Sequence, residues 1–184
     1  MGEAESEANT RTTGLKLVPP APDVQQEYLE MITEWQASGE KMIPWVLNED
    51  PSDFDAMIAK LENQSQGKGL KEGLVPATTY WLARNDGKIL GATNIRHYLN
   101  EFLERTGGHI GMGIRPSERR KGYGTELLRM ALKITRDMGI TSVLVTCDKD
   151  NIASARTIQK NGGVLDSEEE EEDGVIVQRY WIQI

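Results

Sequence analysis

Arg119-Arg120-Lys121-Gly122-Tyr123-Gly124 sets three cations beside two glycines, between a segment of strand character and a long helical pattern. A helix N-terminus carries unpaired main-chain N–H groups and a partial positive charge. Glycines let the backbone close around a phosphate, and Arg119, Arg120 and Lys121 can add charge-assisted contacts. The chemistry is that of an anion site, with pyrophosphate a natural guest. Two common phosphate motifs fail on spacing. A P-loop needs Gly, four residues, then Gly-Lys-Ser/Thr, which this stretch does not provide. A dinucleotide fingerprint needs a third small residue three places after Gly124, where the chain has Leu127. The bland alternative is a glycine turn that merely joins strand to helix.

Few other residues invite chemistry. His109 begins the strand that leads to the loop, and an imidazole titrating near about 6.5 suits proton removal. His97 is a second candidate base. Glu118 is a third, although a solvated turn carboxylate is the expected state. Cys147 sits in an apolar run with nothing nearby to lower its pKa, and reads as a small buried hydrophobe. Asn151 and Ser154 both suit the start of a helix. No residues are assigned to a metal. Trp35, Trp45, Trp81, Trp181 and Tyr98 read as core or pocket wall. Glu168 to Asp173 are all acidic and precede Gly174. They read as a solvated hairpin loop, with attraction of a cationic substrate as the sharper alternative.

Hydrophobic spacing supplies the elements that hold these groups. Leu15 to Val18 reads as a first strand. Val24 to Ala37 and Ser52 to Gln64 read as helices, joined by the apolar connection Met42 to Leu47, a packed loop or a lid. Thr78 to Ala83 and Lys88 to His97 form a hairpin through Asn85-Asp86-Gly87. Gly108 to Arg115 is the strand before the loop. Thr125 to Met138 is the clearest helix, with Gly139 as its stop. Ser142 to Cys147 is a strand, Ser154 to Lys160 a short helix, and Val175 to Ile184 the last strand of a closing hairpin. Residues 1–14 read as a flexible leader, which leaves 15–184 as a single domain.

In this order the motifs resemble the GNAT superfamily of N-acetyltransferases, especially its poorly characterised bacterial members. The resemblance runs from Gly108 to Gly163. It covers Ile114-Arg115-Pro116, the glycine loop, the long helix, the Val143–Cys147 strand, Asn151-Ile152-Ala153-Ser154 and Lys160-Asn161-Gly162-Gly163. It implies a mixed α/β (α+β) fold: a mostly antiparallel central sheet of six to seven strands, flanked by helices, with a V-shaped gap between the fourth and fifth strands. It also implies acetyl-CoA as acyl donor. The pantetheine arm would bond to backbone around Met112, Gly113 and Ile114. The pyrophosphate would rest on the amides from Arg120 to Thr125, through Lys121, Gly122, Tyr123 and Gly124. Asn151 would reach the arm, with Ser154 nearby. The implied reaction is direct attack of a primary amine on the thioester, with a strand N–H such as that of Ile114 stabilising the oxyanion. A small-molecule or peptide amine is the implied acceptor, and a homodimer is common among relatives. One position departs from the pattern. Many family members carry a Tyr seven residues after the Asn as general acid, and this chain has Ile158. A non-catalytic acyl-CoA-binding regulatory module is therefore the alternative.

Composition narrows the rest. A net charge of −8 disfavours nucleic acid as a partner, while the basic island around residues 115–136 suits a small anion. Met1-Gly2 followed by Ser6 fits a loose myristoylation pattern, but Glu3 and Glu5 supply no basic second anchor, so no membrane partner is expected. With one cysteine and no apolar run of spanning length, the expected location is cytoplasmic.

Overall fold

The computed structural model describes residues 14–184. Residues 1–13, with the myristoylation pattern and nearly all of the expected leader, lie outside the described residues. Strands β1 (Lys16–Val18), β2 (Ala77–Ala83), β3 (Ile89–Arg96) and β4 (Ile110–Ile114) pair in that order, each antiparallel to the next. Strands β5 (Ser142–Asp148), β6 (Val164–Glu170) and β7 (Ile176–Gln183) form a second antiparallel sheet in the order β5-β7-β6. Seven strands are present, within the expected six to seven, as sheets of four and three that part between β4 and β5, where the gap was expected.

Helices α1 (Gln25–Ser38) and α2 (Phe54–Ser65) cover one face of the first sheet. Tyr28, Met31, Ile32 and Trp35 of α1 pack on Trp81, Ile89 and Ala92. Helices α3 (Tyr123–Asp137) and α4 (Ile152–Lys160) contribute to the core on the other face. Leu128, Ala131 and Leu132 of α3 and Ile158 of α4 meet Ile95, Ile110, Val143 and Val145 there. The α3 stripe follows the 3.6-residue period read from the sequence. The helix starts two residues earlier than expected, because Gly122 adopts φ 87° and turns the chain into its first turn.

Three expectations change. The connection after α1 lays Ile43 and Pro44 against β4 and continues into an ordered 3₁₀ turn, Trp45–Asn48. The irregular stretch after β3 contains a π-helical turn, Leu103–Gly107. The acidic run is not wholly a loop. Glu168 to Glu170 belong to β6, where Glu168 pairs with Lys149 at 2.8 Å and Glu169 meets Arg105 at 3.6 Å. Opposite-charge neighbours let a strand carry carboxylates that would otherwise repel.

Candidate active site

Strand parity defines the walls of the gap. Arg96 N–H donates to His109 O at 2.8 Å, and Arg115 N–H donates to Leu90 O at 2.9 Å. In an antiparallel ladder alternate residues face the partner, so Gly111 and Gly113 turn their peptide groups towards β3. Met112 and Ile114 turn theirs away, into the gap. The same logic applies to β5. Lys149 N–H donates to Ile176 O and Ile184 N–H to Thr141 O, so Thr146 and Asp148 face the gap from the other side. Arg119 Nε occupies Ile114 O at 3.0 Å and leaves the Ile114 N–H as a free donor.

His109 closes the narrow end. Its main-chain N–H donates to Leu144 O at 2.7 Å, and its Nδ1 accepts the Leu144 N–H at 3.0 Å. The side chain substitutes for a missing ladder bond, and beyond it the two strands separate. Burial, then the Arg96 cation, holds the imidazole below the usual histidine range. The neutral ring has one lone pair, and Leu144 occupies it, so the proton sits on Nε2. As placed, His109 has no free basic nitrogen; it is a strut at the apex of the gap rather than the expected base. His97 lies apart from the gap. Its Nε2 bonds Thr78 Oγ1 at 2.8 Å, and Thr78 pairs with Ile95, which faces the α3 side.

The wide end meets the glycine loop. The first helical bond of α3 runs from Glu126 N–H to Gly122 O. Among the described residues, the N–H groups from Arg120 to Thr125 therefore have no main-chain acceptor. Arg120 holds φ 62°, a strained value for a residue with a Cβ. Gly124 needs neither left-handed backbone nor close packing, since a Cβ there would lie 3.7 Å from Ile114 Cγ1 and 3.8 Å from Thr157 Oγ1. Its small size leaves the mouth of the helix open.

Two of the three cations act mainly inward. Arg119 stacks over Trp35 at 5.4 Å and bonds Glu40 at 2.5 Å. Lys121 bonds Glu118 at 2.8 Å. Glu118 is not a solvated turn carboxylate: it is 4% exposed and also bonds Lys88 at 2.6 Å. Burial pushes its pKa up, but the Lys121 and Lys88 hydrogen bonds outweigh this and hold it below the ordinary range. It braces the loop. Arg120 is the exposed cation left for a ligand.

Gly113 answers to packing. A Cβ there would lie 2.0 Å from Ile43 O and 2.6 Å from the Trp35 ring. Its peptide groups serve β3, so the backbone donors of this stretch are those of Met112 and Ile114. At the head of α4, Asn151 Oδ1 caps the Ser154 N–H at 3.0 Å, which leaves the Asn151 amide nitrogen for other contacts.

A cavity of about 300 Å³ opens on the face opposite α3. Asn94 and Arg96 of β3 line it, with Trp45, Leu74, Phe102 and Leu103. Trp45 and Phe102 are 62% and 64% exposed and rim the mouth. Arg96 Nη1 and Nη2 lie 3.4 Å from the position of a Gly111 Cβ, which places this cavity beside β4, next to the gap.

A family model for the acetyltransferase (GNAT) domain matches residues 15–164. The chain belongs to this family. It is an acetyl-CoA-dependent N-acetyltransferase, and acetyl-CoA is its acyl donor. No curated protein matches the acetyltransferase at a significant level. Among solved structures, it is similar to an acetyltransferase from Salmonella typhimurium described as modifying the N-terminal serine of ribosomal protein L7/L12. That likeness has a TM-score of 0.68 and 15% identity over 95% of this chain and 97% of that one. The microcin C7 self-immunity acetyltransferase MccE, solved with acetyl-CoA and AMP, gives 0.66 and 19% identity over 95% and 94%. A further Salmonella typhimurium protein, the putative acetyltransferase yncA with acetyl-CoA, gives 0.61 and 15% over 93% and 94%. At these identities the likeness is one of fold.

The residues present fit coenzyme A. The gap offers free strand donors at Met112 and Ile114, and the α3 mouth offers unpaired N–H groups beside an open glycine. Ile158 is 0% exposed within the core, so the usual tyrosine position supplies no acid to this acetyltransferase. Cys147 belongs to the same core, and burial pushes its thiol up to about 11, which removes it as a nucleophile at neutral pH. Sequence reasoning passed over Arg96 and Asn94, because their segment read only as one strand of a hairpin. It also missed Glu34, which accepts from Ser117 N–H at 2.7 Å and Arg115 Nε at 2.5 Å and fixes the approach to the loop. Asn161 was read only as part of a helix ending, yet its side chain ties α4 to Thr125 O at 3.1 Å.

Proposed function

We propose that this acetyltransferase passes the acetyl group directly from acetyl-CoA to a primary amine held in the Asn94–Arg96 cavity. The observation that carries the reading is the run of unpartnered N–H groups from Arg120 to Thr125, facing the open end of the β4–β5 gap. These groups and Arg120 hold the pyrophosphate. The arm then lies along β4, with Met112 and Ile114 as its backbone partners and the Asn151 amide alongside. The amine approaches from the opposite face, over Gly111. The Met112 or Ile114 N–H receives the charge that develops on the thioester oxygen. Holding both reactants at one spot supplies much of the acceleration.

Among the described residues, the cavity lining contains no carboxylate and no imidazole. In this reading the amine enters neutral and its proton passes to water. The leaving thiolate needs no dedicated acid, because a thiol of pKa about 8.5 is a good leaving group. The acceptor is a small-molecule or peptide amine, residues 15–164 lie within one acetyltransferase domain, and the free thiol of Cys147 suits a cytoplasmic location. The test is acetyl-CoA consumption across a panel of primary amines. Turnover of at least one, with log kcat/KM rising at unit slope up to that amine's own pKa, supports the reading. Coenzyme A binding without turnover of any amine contradicts it. An inflection below the usual histidine range that disappears in His97→Asn restores the histidine base.

A further inference from the structure

The cavity floor carries a cation with no opposing charge. Arg96 Nη1 donates to Gly107 O at 2.9 Å and Gly108 O at 3.3 Å. Among the described residues, Nε and Nη2 have no protein acceptor, and no carboxylate lies within ion-pair distance. Burial draws the guanidinium pKa down to about 10, with no partner opposing the shift, and the group stays charged at neutral pH. The side chains around it are mostly apolar: Trp45, Val46, Leu74, Val75, Phe102 and Leu103. Asn94 donates one amide N–H to Thr79 Oγ1 at 3.1 Å and keeps its Oδ1 acceptor and one further N–H.

A half-buried cation without a counter-ion is costly to the fold unless something else uses it. Two free donors of one planar fork match the two oxygens of a carboxylate. The position is also informative. Nη1 and Nη2 lie against β4 at Gly111, one residue from the gap-facing N–H of Met112. An anion on Arg96 would therefore sit within a few bonds of an amine that attacks the thioester. The apolar walls and the aromatic rim suit a hydrophobic side chain on the same molecule.

We propose that Arg96 sets acceptor specificity by receiving the carboxylate of an apolar α-amino acid, whose α-amine is the group acetylated. The inference rests on the acetyl-transfer reading above. The amine forms a C–N bond to the acetyl carbon, and the C–S bond breaks. The amine loses one proton to water, and the thiolate takes one from water. The products are an N-acetyl amino acid and coenzyme A.

The test uses the full chain with acetyl-CoA and pairs of acceptors: leucine, methionine and phenylalanine, each beside its carboxamide. The expected result is a kcat/KM for at least one amino acid that exceeds that of its amide by roughly tenfold to a hundredfold, the scale of a lost charge-assisted hydrogen-bond pair. In Arg96→Gln the ratio falls to near one, whatever the absolute rates, and Arg96→Lys gives an intermediate ratio. Calorimetry gives a readout independent of turnover. N-acetyl-leucine, N-acetyl-methionine and N-acetyl-phenylalanine are titrated, each beside its amide, into the chain saturated with coenzyme A. At least one acid should bind about tenfold or more tightly than its amide. Amides used or bound as well as the acids would overturn the inference while acetyl transfer stands. Carboxylate-selective, Arg96-dependent binding without turnover would uphold Arg96 and sink the transfer reading. No binding and no turnover in every pair would overturn the inference, while turnover of another amine in the panel above would leave acetyl transfer standing.

Discussion

At the scale of the residue, two positions separate architecture from chemistry. Gly124 is free of steric and conformational demand from the protein itself, and its small size matters for the ligand. Gly124→Ala should keep its melting temperature within a few degrees while coenzyme A affinity drops by roughly tenfold or more, a change of about 1.4 kcal/mol. Calorimetric titration checks this, and an unchanged dissociation constant would return Gly124 to ordinary helix packing. His109 makes the opposite case. Its folded pKa is held below the unfolded value of about 6.5, so between the two values the unfolded chain binds more protons. Stability therefore rises with pH through that window and is lost as pH falls below about 6.5. His97 is also held low by burial and contributes with the same sign. His109→Asn keeps an acceptor near Leu144 N–H without a titrating group, and should show a shallower loss of stability from pH 7 to 5 in urea titrations. Identical pH profiles would remove His109 from the linkage.

At the scale of the element, the glycine loop is shaped by partners far away in sequence. Glu34 of α1 reaches Arg115 and Ser117 from 81 and 83 positions away. Arg115 is 8% exposed, so Glu34→Ala leaves a buried cation with only the more distant Glu27 carboxylate, at 3.8 Å. The expected cost is about 3 kcal/mol of stability, with weakened coenzyme A binding because the turn into the loop loosens. A change under about 0.5 kcal/mol, the size of an ordinary surface substitution, would show that the turn holds itself. What was legible in the sequence follows the same division. The α3 stripe, the Asn85-Asp86-Gly87 turn and the loop are local patterns, and they appear within a few residues of their expected bounds. The parting of the sheets came from the family resemblance rather than from any local period, and the His109 strut and the Glu118–Lys88 brace depend on contacts 30 or more positions apart, which no local period encodes. The acidic run was misplaced for the same reason. Its carboxylates enter β6 because Lys149 and Arg105, supplied by other elements, stand opposite them.

At the scale of the whole molecule, the fold is two sheets whose main chains meet at His109 and Leu144, with the proposed donor site at the open end of the gap and the proposed acceptor cavity behind it. Among the described residues no helix is long and apolar enough to cross a membrane. Coenzyme A that bridges the sheets binds only the folded chain, so at a hundred times its dissociation constant it should add about 2.7 kcal/mol of stability. For a chain of this size that is a rise of about 5 to 10 °C in melting temperature, read by calorimetry. The most direct test is a crystal structure of the protein with coenzyme A. The account predicts the pyrophosphate on the N–H groups from Arg120 to Thr125 and the pantetheine between β4 and β5, bonded to Met112 and Ile114, with its sulfur directed towards the Arg96 cavity. Coenzyme A bound elsewhere, or a closed gap with the cofactor outside it, would contradict the account.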